Sequence, residues 1–420
     1  MKDKTLRREA FIAAILGALL ALFFLLFTRL EWLGEEPYIA THVVLGHGYL
    51  NPYNPAADAK PTAISPPFYP YLVAGVYEVF GLESHMAFGV LYAINIVCVA
   101  LTAAGVYVLA YWLFGKMAAR WSILLFLLYP AFGRNAASLW DTLPSLAGFI
   151  WIVVWCKHMQ RTRSATPGRI FALGIALGLL ALAHLTPVLT YPFLITMAVG
   201  KTTFGNWFKM SAISFIAFVL MLIPWQIRDY HVFGRFFIVR DNFPLEMYVG
   251  NQPGTYGSHV MWGHPATDPV ERERMNSEGE NKYFDELWQR FLVEYHADPG
   301  AYWRHTLNRL GFLYVDSLPE HRFRAVRICV ESVFVVLAVA GLVIGWRLGY
   351  RASWLFWLCL LSVIPYMFTE VTLSYTLPLR AGLMVYGGFA VAVLMSYLQK
   401  GKLPETPHEK ELVPENAVTS

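Results

Sequence analysis

EWLGEEPYIATHVVLGHGYLNPYNPAADAKPTAISPPFYPYL, residues 31–72, is the stretch around which the chain is organised. It follows directly on an apolar run at residues 10–28, and it contains three glutamates, several turn residues and a Pro-Pro step. A segment of this kind cannot itself span a bilayer, because its irregular backbone would lack hydrogen-bond partners there. The sequence therefore predicts a membrane helix followed by a first outer loop, residues 29–67, with the carboxylate pair Glu35-Glu36 just past the helix exit.

The composition is that of a polytopic membrane protein. Of the 420 residues, 56% are hydrophobic and only 15% are charged, and the mean hydropathy is +0.44, far above an average soluble domain. The formal net charge is only +4, which gives no support to a nucleic-acid partner. The cysteines lie in or at the ends of apolar runs without metal-binding spacing, and they are predicted to be core residues. They are Cys98, Cys156, Cys329 and Cys359.

Ten apolar runs predict ten transmembrane helices. They fall at about residues 10–28, 86–114, 117–132, 143–158, 169–186, 187–200, 208–225, 326–346, 352–369 and 381–397. The first run reaches roughly 28 Å as a helix, close to the thickness of a bilayer core. Because it is long and no small-x-small cleavage site follows it, it predicts a retained anchor and not a signal peptide.

The distribution of lysine and arginine predicts the orientation. With the N-terminus inside, the inner segments hold seventeen of these residues and the short outer loops hold four. Positive charge collects on the cytoplasmic side, so we expect a multi-pass protein of the plasma (inner) membrane with both termini cytoplasmic. The segments then expected on one common, non-cytoplasmic side are 31–67, 132–142, 226–325 and 370–380.

These segments divide the chain into four parts. The predicted parts are an N-terminal transmembrane catalytic module at 1–225, an outer segment at 226–325, C-terminal transmembrane helices at 326–397 and a disordered cytoplasmic tail at 398–420.

The long outer segment predicts ordered structure. Asp268-Pro269 and Asp298-Pro299 each give a cap followed by proline at the first helical position, so two helices are expected. In the second helix the apolar residues share one face, which favours packing on the membrane surface or on the bundle. These residues are Tyr302, Trp303, Thr306, Leu307, Leu310, Leu313 and Tyr314. Residues 237–265 are predicted to be extended, with turns.

Several polar residues on the outer side have an ordinary structural interpretation. Asp141 stands at the outer start of a span, where a carboxylate caps a helix. Arg228 stands at the outer end of another span, where arginine commonly anchors a helix at the interface, and Arg134 and Arg380 admit the same interpretation. His184, in an apolar run, is predicted to be an interhelical hydrogen-bond donor and not a catalyst.

No soluble-enzyme motif is present. The chain lacks a Walker A sequence, a GxGxxG after a strand, HExxH and GxSxG. Nucleotide binding, zinc proteolysis and α/β-hydrolase chemistry therefore lack their required parts.

The arrangement resembles the GT-C membrane glycosyltransferases, the group that holds the protein O-mannosyltransferases and the lipid A aminoarabinose transferase. The resemblance covers most of residues 8–395. It is carried by the acidic residue after the first span followed by IATHVVLGHGY, by PTAISPPFYPYLVAGVYEVFG, by LWDT, by PWQIRDYHVFGRFFIVRDNFPLEMYVGN and by SYTLPLRAGL. The chain departs from the family in having Glu35-Glu36 where many relatives have Asp-Glu, and Ser65 where a lysine often precedes the Pro-Pro step.

The resemblance implies an all-α, GT-C-like bundle of about ten transmembrane helices with a sugar donor on a polyprenyl phosphate. The acceptor would be a lipid, a glycan or a protein, and direct attack would invert the anomeric centre. Sugar transfer needs a base for the acceptor proton and cations for the leaving phosphate. Counting back from the matched motif makes Glu35 the candidate base and Glu36 the close second.

The remaining roles are expected to fall on other residues of the outer side. Asp141 would orient the acceptor or support the base. Arg228, together with Arg134, Arg380 or Lys60, would hold the phosphate, which suits a forked guanidinium. No obligatory metal or other cofactor is expected, although Glu35 and Asp141 could share an ion.

Two functions of other classes stay open. A transporter or lipid flippase would also have ten spans, but it should carry ionisable residues in the middle of its helices and often an internal repeat. The runs here are almost free of charge at their centres, and no repeat is found. A non-catalytic membrane assembly subunit would explain the same anchors without chemistry.

Overall fold

The computed structural model describes residues 4–27, 34–257, 261–315, 324–350 and 352–400. Within these ranges the chain is helical and contains no β-strand, and one isolated antiparallel bridge joins Leu50 to Pro61. The all-α architecture predicted from the apolar runs is therefore confirmed.

Seventeen α-helices follow one another along the described chain. They are α1 Lys4–Phe27, α2 Glu35–Val44, α3 Phe68–Phe80, α4 His85–Phe114, α5 Lys116–Leu128, α6 Pro130–Arg134, α7 Thr142–Thr162, α8 Pro167–Ala183, α9 Tyr191–Val199, α10 Phe204–Phe233, α11 Phe243–Gly250, α12 Pro269–Glu278, α13 Glu280–Ala297, α14 Pro299–Phe312, α15 Arg324–Arg347, α16 Ser353–Val363 and α17 Leu377–Lys400. Short 3₁₀ turns are present at Asn135–Ala137, Thr186–Thr190, Ile364–Met367 and Ser374–Thr376.

Six of these helices are long and apolar enough to cross a membrane: α1, α4, α7, α10, α15 and α17. The four other predicted spans are helical but shorter. The helices α5 and α8 have 13 and 17 residues, and the 3₁₀ turns extend α9 and α16 into the apolar segments Thr186–Val199 and Ser353–Met367. The chain is thus a multi-pass membrane protein.

Small residues let the C-terminal helices approach closely. A Cβ added to Gly341 in α15 would collide with the backbone oxygen of Tyr386 in α17, and one added to Gly388 would collide with Ser122 in α5. Helix pairs in membranes commonly pack through such residues, because hydrocarbon gives little drive for association. The helix α17 therefore packs between α5 and α15.

The N-terminal helix α1 packs along α4 and is held by a buried carboxylate. Glu9 accepts hydrogen bonds from Arg120 Nη2 at 2.7 Å and from the Tyr107 hydroxyl at 2.5 Å, and Lys116 Nζ lies 3.0 Å away. These bonds join α1 to α4 and α5, and they satisfy a carboxylate that is buried between the helices.

The outer helices α11 to α14 pack with the first outer loop on the end of α10. Both predicted caps are confirmed: Asp268 accepts from the amides of Val270 and Glu271, and Asp298 accepts from that of Ala301. The first predicted helix is divided into α12 and α13 at Gly279, whose φ of +87° ends one helix before the next begins.

The apolar face of α14 is partly buried: Thr306 and Leu313 are buried, whereas Trp303, Leu307 and Leu310 are exposed. Its packing on the membrane surface or on the bundle stays a prediction. Two expectations need correction. The segment at 237–265, predicted to be extended, contains α11, whose first turn holds Pro244. Cys329 is exposed, although the other three cysteines are buried as predicted. The expected disordered tail lies outside the described residues from 401 onward.

Candidate active site beside the first outer loop

Gly34 brings the first outer loop against the segment that leads into α7. A Cβ added at Gly34 would lie 3.3 Å from the carbonyl oxygen of Leu139 and 3.4 Å from Cδ1 of Trp140, and it would collide with Oε2 of Glu36. Only a glycine fits this space without displacement of its neighbours. The contact places the start of α2 beside Asp141, so three carboxyl groups form a cluster: Glu35, Glu36 and Asp141.

Within this carboxyl cluster, Glu35 is fully engaged by its own loop. Its Oε2 accepts a hydrogen bond from Ser65 Oγ at 3.0 Å, and its Oε1 accepts one from the hydroxyl of Tyr53. The carbonyl of Ser65 in turn accepts from the Tyr49 hydroxyl at 2.8 Å. The serine that departs from the family pattern therefore fixes the orientation of the predicted base.

Glu36 and Asp141 are buried and only partly satisfied. They are 1% and 2% exposed, and Glu36 Oε2 and Asp141 Oδ1 have no hydrogen-bond partner among the described residues. Burial raises the pKa of Glu36 well above its ordinary value, and the charges of Asp141 and Glu35 raise it further. Burial therefore favours the neutral form of Glu36, and two carboxyl oxygens of the cluster are left without a partner among the described residues.

Asp141 is the start of a side-chain relay. Its Oδ2 lies 2.8 Å from His184 Nδ1, and His184 Nε2 lies 2.5 Å from the hydroxyl of Tyr366. The Tyr366 hydroxyl also lies 3.0 Å from Thr186 Oγ1, and its ring stacks on that of Tyr375. The prediction that Asp141 caps its helix is wrong, because its side chain makes no capping bond. His184, predicted to be an interhelical hydrogen-bond donor, makes such contacts with Asp141 and Tyr366, and these contacts place it in the site.

Arg240 is the cation of the site, and the sequence analysis missed it. Its Nη2 donates to Glu246 Oε1 at 3.1 Å, and its side chain is 23% exposed. Burial, together with the neighbouring Glu370, raises the pKa of Glu246 to about 8. Burial thus favours the neutral form of Glu246, which would not balance the charge of Arg240. When ionised, Glu246 and Asp141 are the carboxylates whose charges act on this guanidinium.

Arg228 and Lys60, two of the predicted phosphate-binding cations, make structural contacts. Arg228 donates from Nη2 to the carbonyl of Tyr49 at 3.2 Å, pairs with Asp229 at 2.9 Å and lies over the ring of Trp225. Lys60 Nζ donates to the carbonyl of Ser277 at 2.5 Å. Both side chains attach the first outer loop to its neighbours.

The other two predicted cations lie elsewhere. Arg380 is 2% exposed; it donates to Thr376 Oγ1 at 2.7 Å and to the Tyr129 hydroxyl, and it lies 3.6 Å from Glu331. Arg134 is partly buried at the end of α6. The contacts of Arg228, Lys60 and Arg380 therefore involve three different sets of residues.

Few side chains of the described site could act as metal ligands. Among the described residues, no group of three or more histidine, cysteine, aspartate or glutamate side chains is arranged to hold one. Of the two residues expected to be able to share an ion, Glu35 already accepts bonds from Tyr53 and Ser65, and only Asp141 retains an unpartnered oxygen.

Comparisons with known proteins find similarity in fold and not in sequence. No protein-family model matches the chain, and no curated protein does. The chain is similar to the oligosaccharyltransferase AglB from Archaeoglobus fulgidus in complex with an inhibitory peptide and a dolichol-phosphate, with a TM-score of 0.55 and 13% identity over 95% of this chain and 52% of that one. A second structure, the Archaeoglobus enzyme tethered with an acceptor peptide, gives a TM-score of 0.53, with 13% identity over 95% and 51% of the chains.

ArnT from Cupriavidus metallidurans bound to undecaprenyl phosphate also matches, at 14% identity over 92% of this chain and 79% of that one, but its TM-score of 0.39 is too low to carry an argument. The solved structures that match are GT-C glycosyltransferases, so the predicted resemblance is confirmed at the level of the fold. The chain spans about half the length of the AglB chains that it matches.

Proposed function

We propose that the protein is an inverting glycosyltransferase that moves a sugar from a polyprenyl-phosphate carrier to a lipid, glycan or protein acceptor on the non-cytoplasmic face of the membrane. The observation that carries the proposal is the buried pair Glu36 and Asp141, each with an unpartnered oxygen, near the guanidinium of Arg240. Buried polar atoms are usually satisfied, and such exceptions cluster at functional sites. The fold shared with AglB, solved with a dolichol-phosphate, supports the same class of donor.

Arg240 is assigned to the donor phosphate, in place of the cations expected from the sequence. Negative charge develops on the phosphate as the glycosidic bond breaks, and a fixed guanidinium stabilises it. Arg240 suits this role because burial favours the neutral form of its neighbour Glu246. Arg228 and Lys60 are occupied by structural contacts, and Arg380 donates to Thr376 and Tyr129, with Nη2 left without a partner among the described residues.

A cavity beside Arg240 supports access from the membrane. It has a volume of about 300 Å³, and Phe237, Phe243 and Phe284 are among its lining residues. The neighbouring side chains of Phe236 and Ile238 are exposed and continue the exposed apolar side of α10. A membrane-spanning chain exposes such side chains to lipid, so an apolar carrier would reach the phosphate site along this side.

The arrangement of hydrogen bonds favours Asp141 over Glu35 as the base. One oxygen of Asp141 is held by His184 and the other has no partner, whereas both oxygens of Glu35 already accept bonds. A carboxylate oxygen has two lone pairs, so Glu35 keeps some of them, but an oxygen that accepts no hydrogen bond is more basic than one that does. Glu36, whose neutral form burial favours, would in that form donate a hydrogen bond to the sugar or the acceptor, and Glu35 would orient the loop.

The test uses the full chain purified into lipid nanodiscs with a panel of hexosyl and pentosyl polyprenyl phosphates and a membrane-lipid extract as the source of acceptor. We expect release of free polyprenyl phosphate with one member of the panel, and loss of this release in Asp141→Asn. Turnover with nucleotide sugars alone would overturn the assignment of the donor. Release that is unchanged in Asp141→Asn would overturn the assignment of the site.

A further inference from the structure

A fully buried arginine lies between the outer helices and the membrane bundle. Arg309, in α14, is 0% exposed, although arginine is rarely buried completely unless it has partners. Burial lowers the pKa of Arg309 to about 10, so its guanidinium still carries a charge at pH 7. A buried charge is costly unless hydrogen bonds satisfy it. The acceptors around this guanidinium therefore identify the segments that it holds together.

The guanidinium of Arg309 donates to three segments of the chain. Nη2 donates to the carbonyl of Gly250, at the end of α11, and to Oδ1 of Asn251 at 2.9 Å. Nε donates to the carbonyl of Gly257 at 3.2 Å. Longer bonds of 3.4 and 3.5 Å run from Nη1 to the carbonyls of Met367 and Phe368. One side chain thus joins α14 to the end of α11, to the loop that follows it, and to the segment between α16 and α17.

The end of α11 packs directly on the segment between α16 and α17. A Cβ added at Gly250 would collide with the carbonyl oxygen of Thr369 and would lie 3.1 Å from Cβ of Glu370. Glu246 is four residues before Gly250 in the same helix, and residues at this spacing share one helix face. The face of α11 that carries Glu246 therefore lies toward Thr369 and Glu370. Burial, and after it the charge of Glu370, raise the pKa of Glu246, which agrees with this placement.

The loop that follows α11 is closed on α14. Gly257 has a φ of +85°, and a Cβ added there would lie 2.7 Å from the carbonyl oxygen of His305. The preceding carbonyl, that of Tyr256, accepts from Nδ2 of Asn308 at 3.0 Å. Both ends of the loop are thus fixed on the same helix, and the guanidinium of Arg309 lies at both attachments.

The segments that Arg309 joins both lead to the candidate active site. In α11, Glu246 accepts from Arg240 Nη2 at 3.1 Å. On the side of the bundle, Tyr366 directly precedes Met367, and its hydroxyl lies 2.5 Å from His184 Nε2. A shift of α11 against the bundle would move Glu246 and the guanidinium that it holds. It would therefore change the position of Arg240 relative to the side-chain relay.

We propose that Arg309 is a positioning residue, whose guanidinium holds the end of α11 on the segment that follows Tyr366 and so keeps Arg240 at the donor phosphate site. A forked guanidinium suits this task because it donates in several fixed directions at once, whereas a lysine ammonium is a compact point charge. Arg309 acts through Glu246 and Arg240 and does not touch the substrate. The effect on the donor rests on the proposed function, whereas the joining of the segments does not.

Hydrogen–deuterium exchange tests the joining of the segments without any assay of transfer. The full chain in nanodiscs is compared with Arg309→Gln and with Arg304→Gln, which changes an exposed arginine of the same helix and is the matched control. We expect exchange within 243–257 and within 364–370 to become roughly tenfold faster in Arg309→Gln, while peptides of α17 keep their protection. Unchanged exchange in either segment would overturn the proposal, because the guanidinium would then not join the two.

Two milder variants keep the test decisive if Arg309→Gln does not fold. Arg309→Lys keeps the positive charge without the fork, and Gly250→Ala pushes α11 away from Thr369 while Arg309 stays in place. Both should speed exchange in the same two segments. Gly311→Ala, whose added Cβ would meet open space, should not. Wild-type exchange in both Arg309→Lys and Gly250→Ala would overturn the proposal.

Kinetics with the donor separate positioning from a general loss of structure. We expect Arg309→Lys to raise the KM for the donor by about tenfold, with a smaller change in kcat. In an Arg240→Gln background the same substitution should raise the KM little further, because the contact with the phosphate is already lost. An equal rise of the KM in both backgrounds, or a fall of kcat with an unchanged KM, would contradict the positioning role.

The two kinds of measurement distinguish the present proposal from the proposed function. If no transfer is found with any donor, the proposed function fails and the exchange experiment still decides whether Arg309 joins the segments. If transfer is found and exchange of the two segments is unchanged in the variants, only the present proposal fails.

Discussion

Nδ1 of His184 lies 2.8 Å from Oδ2 of Asp141, although 43 residues separate the two in the chain. The imidazole also reaches the hydroxyl of Tyr366, 182 residues further along. If Tyr366 donates to Nε2, then Nδ1 carries the proton and donates to Asp141. The bond leaves the other oxygen of Asp141 without a partner beside Glu36, and the first prediction concerns that oxygen.

Removal of the charge of Asp141 should abolish most turnover. Asp141→Asn keeps the size of the side chain and removes its basicity, so kcat should fall by on the order of 10²-fold or more, the usual scale for general base catalysis. Glu35→Gln should have a smaller effect, because Glu35 orients the loop. The measurement is the release of polyprenyl phosphate, with Glu273→Gln, on the exposed side of α12, as the matched control. A larger loss in Glu35→Gln than in Asp141→Asn would restore Glu35 as the base, as the sequence predicts.

His184 should act through Asp141 and not on the substrate. His184→Ala removes the donor to Asp141 and should lower kcat by about tenfold or more, whereas His184→Gln can still donate from its amide and should recover part of this loss. Tyr366→Phe should have a smaller effect, since it removes only the far end of the relay. The readout is kcat against pH for each variant. Equal losses of kcat in His184→Gln and His184→Ala would contradict a role through hydrogen bonding alone and would favour passage of a proton through the imidazole.

Donor binding should weaken above about pH 8. Glu246 has a folded pKa raised to about 8, so it is neutral below that value and becomes a carboxylate as the pH rises through it. The new charge pairs with Arg240 and competes with the donor phosphate. Glu246→Gln should remove this dependence, and Arg240→Gln should raise the KM for the donor by roughly tenfold or more at pH 7. The measurement is the KM for the donor between pH 6.5 and 9. A KM that rises with pH equally in the wild type and in Glu246→Gln would contradict the assignment of this dependence to Glu246.

The orientation predicted from lysine and arginine has a direct test. Reporters fused after Gly168 or Lys201 should read cytoplasmic, and one inserted near Ser277 should read external. The carboxyl cluster and α12 then face the same, non-cytoplasmic compartment. An external reading at Gly168 would place the cluster in the cytoplasm, where nucleotide sugars are available, and would remove the reason for a lipid-linked donor.

The sequence predicts features that depend on neighbours along the chain. The apolar runs predict the helices of the bundle, and the caps at Asp268 and Asp298 form as expected because a cap is a local structure. The helix α11 is missed because its aromatic and turn residues also suit an extended segment.

The site depends on contacts between distant residues, which a single sequence does not reveal. Nothing near His184 indicates that it meets Asp141, and Arg240 is one arginine among many until folding places it beside Glu246. Glu35, Glu36 and Asp141 could be named as candidate site residues from the sequence, because they lie in or beside the motifs that carry the resemblance to the GT-C family. The unequal surroundings of these three carboxyl groups emerge only from the packing around each.

The buried Glu9 constrains the order in which the protein assembles during synthesis. Its donors Tyr107 and Arg120 lie 98 and 111 residues later in the chain. When the first helix enters the membrane, neither of these partners has been made, and a carboxylate facing hydrocarbon is costly. We therefore expect Glu9 to stay near the lipid head groups, or to be protonated, until α4 and α5 have been inserted. The helix α1 becomes fixed in the bundle only after these neighbours have arrived.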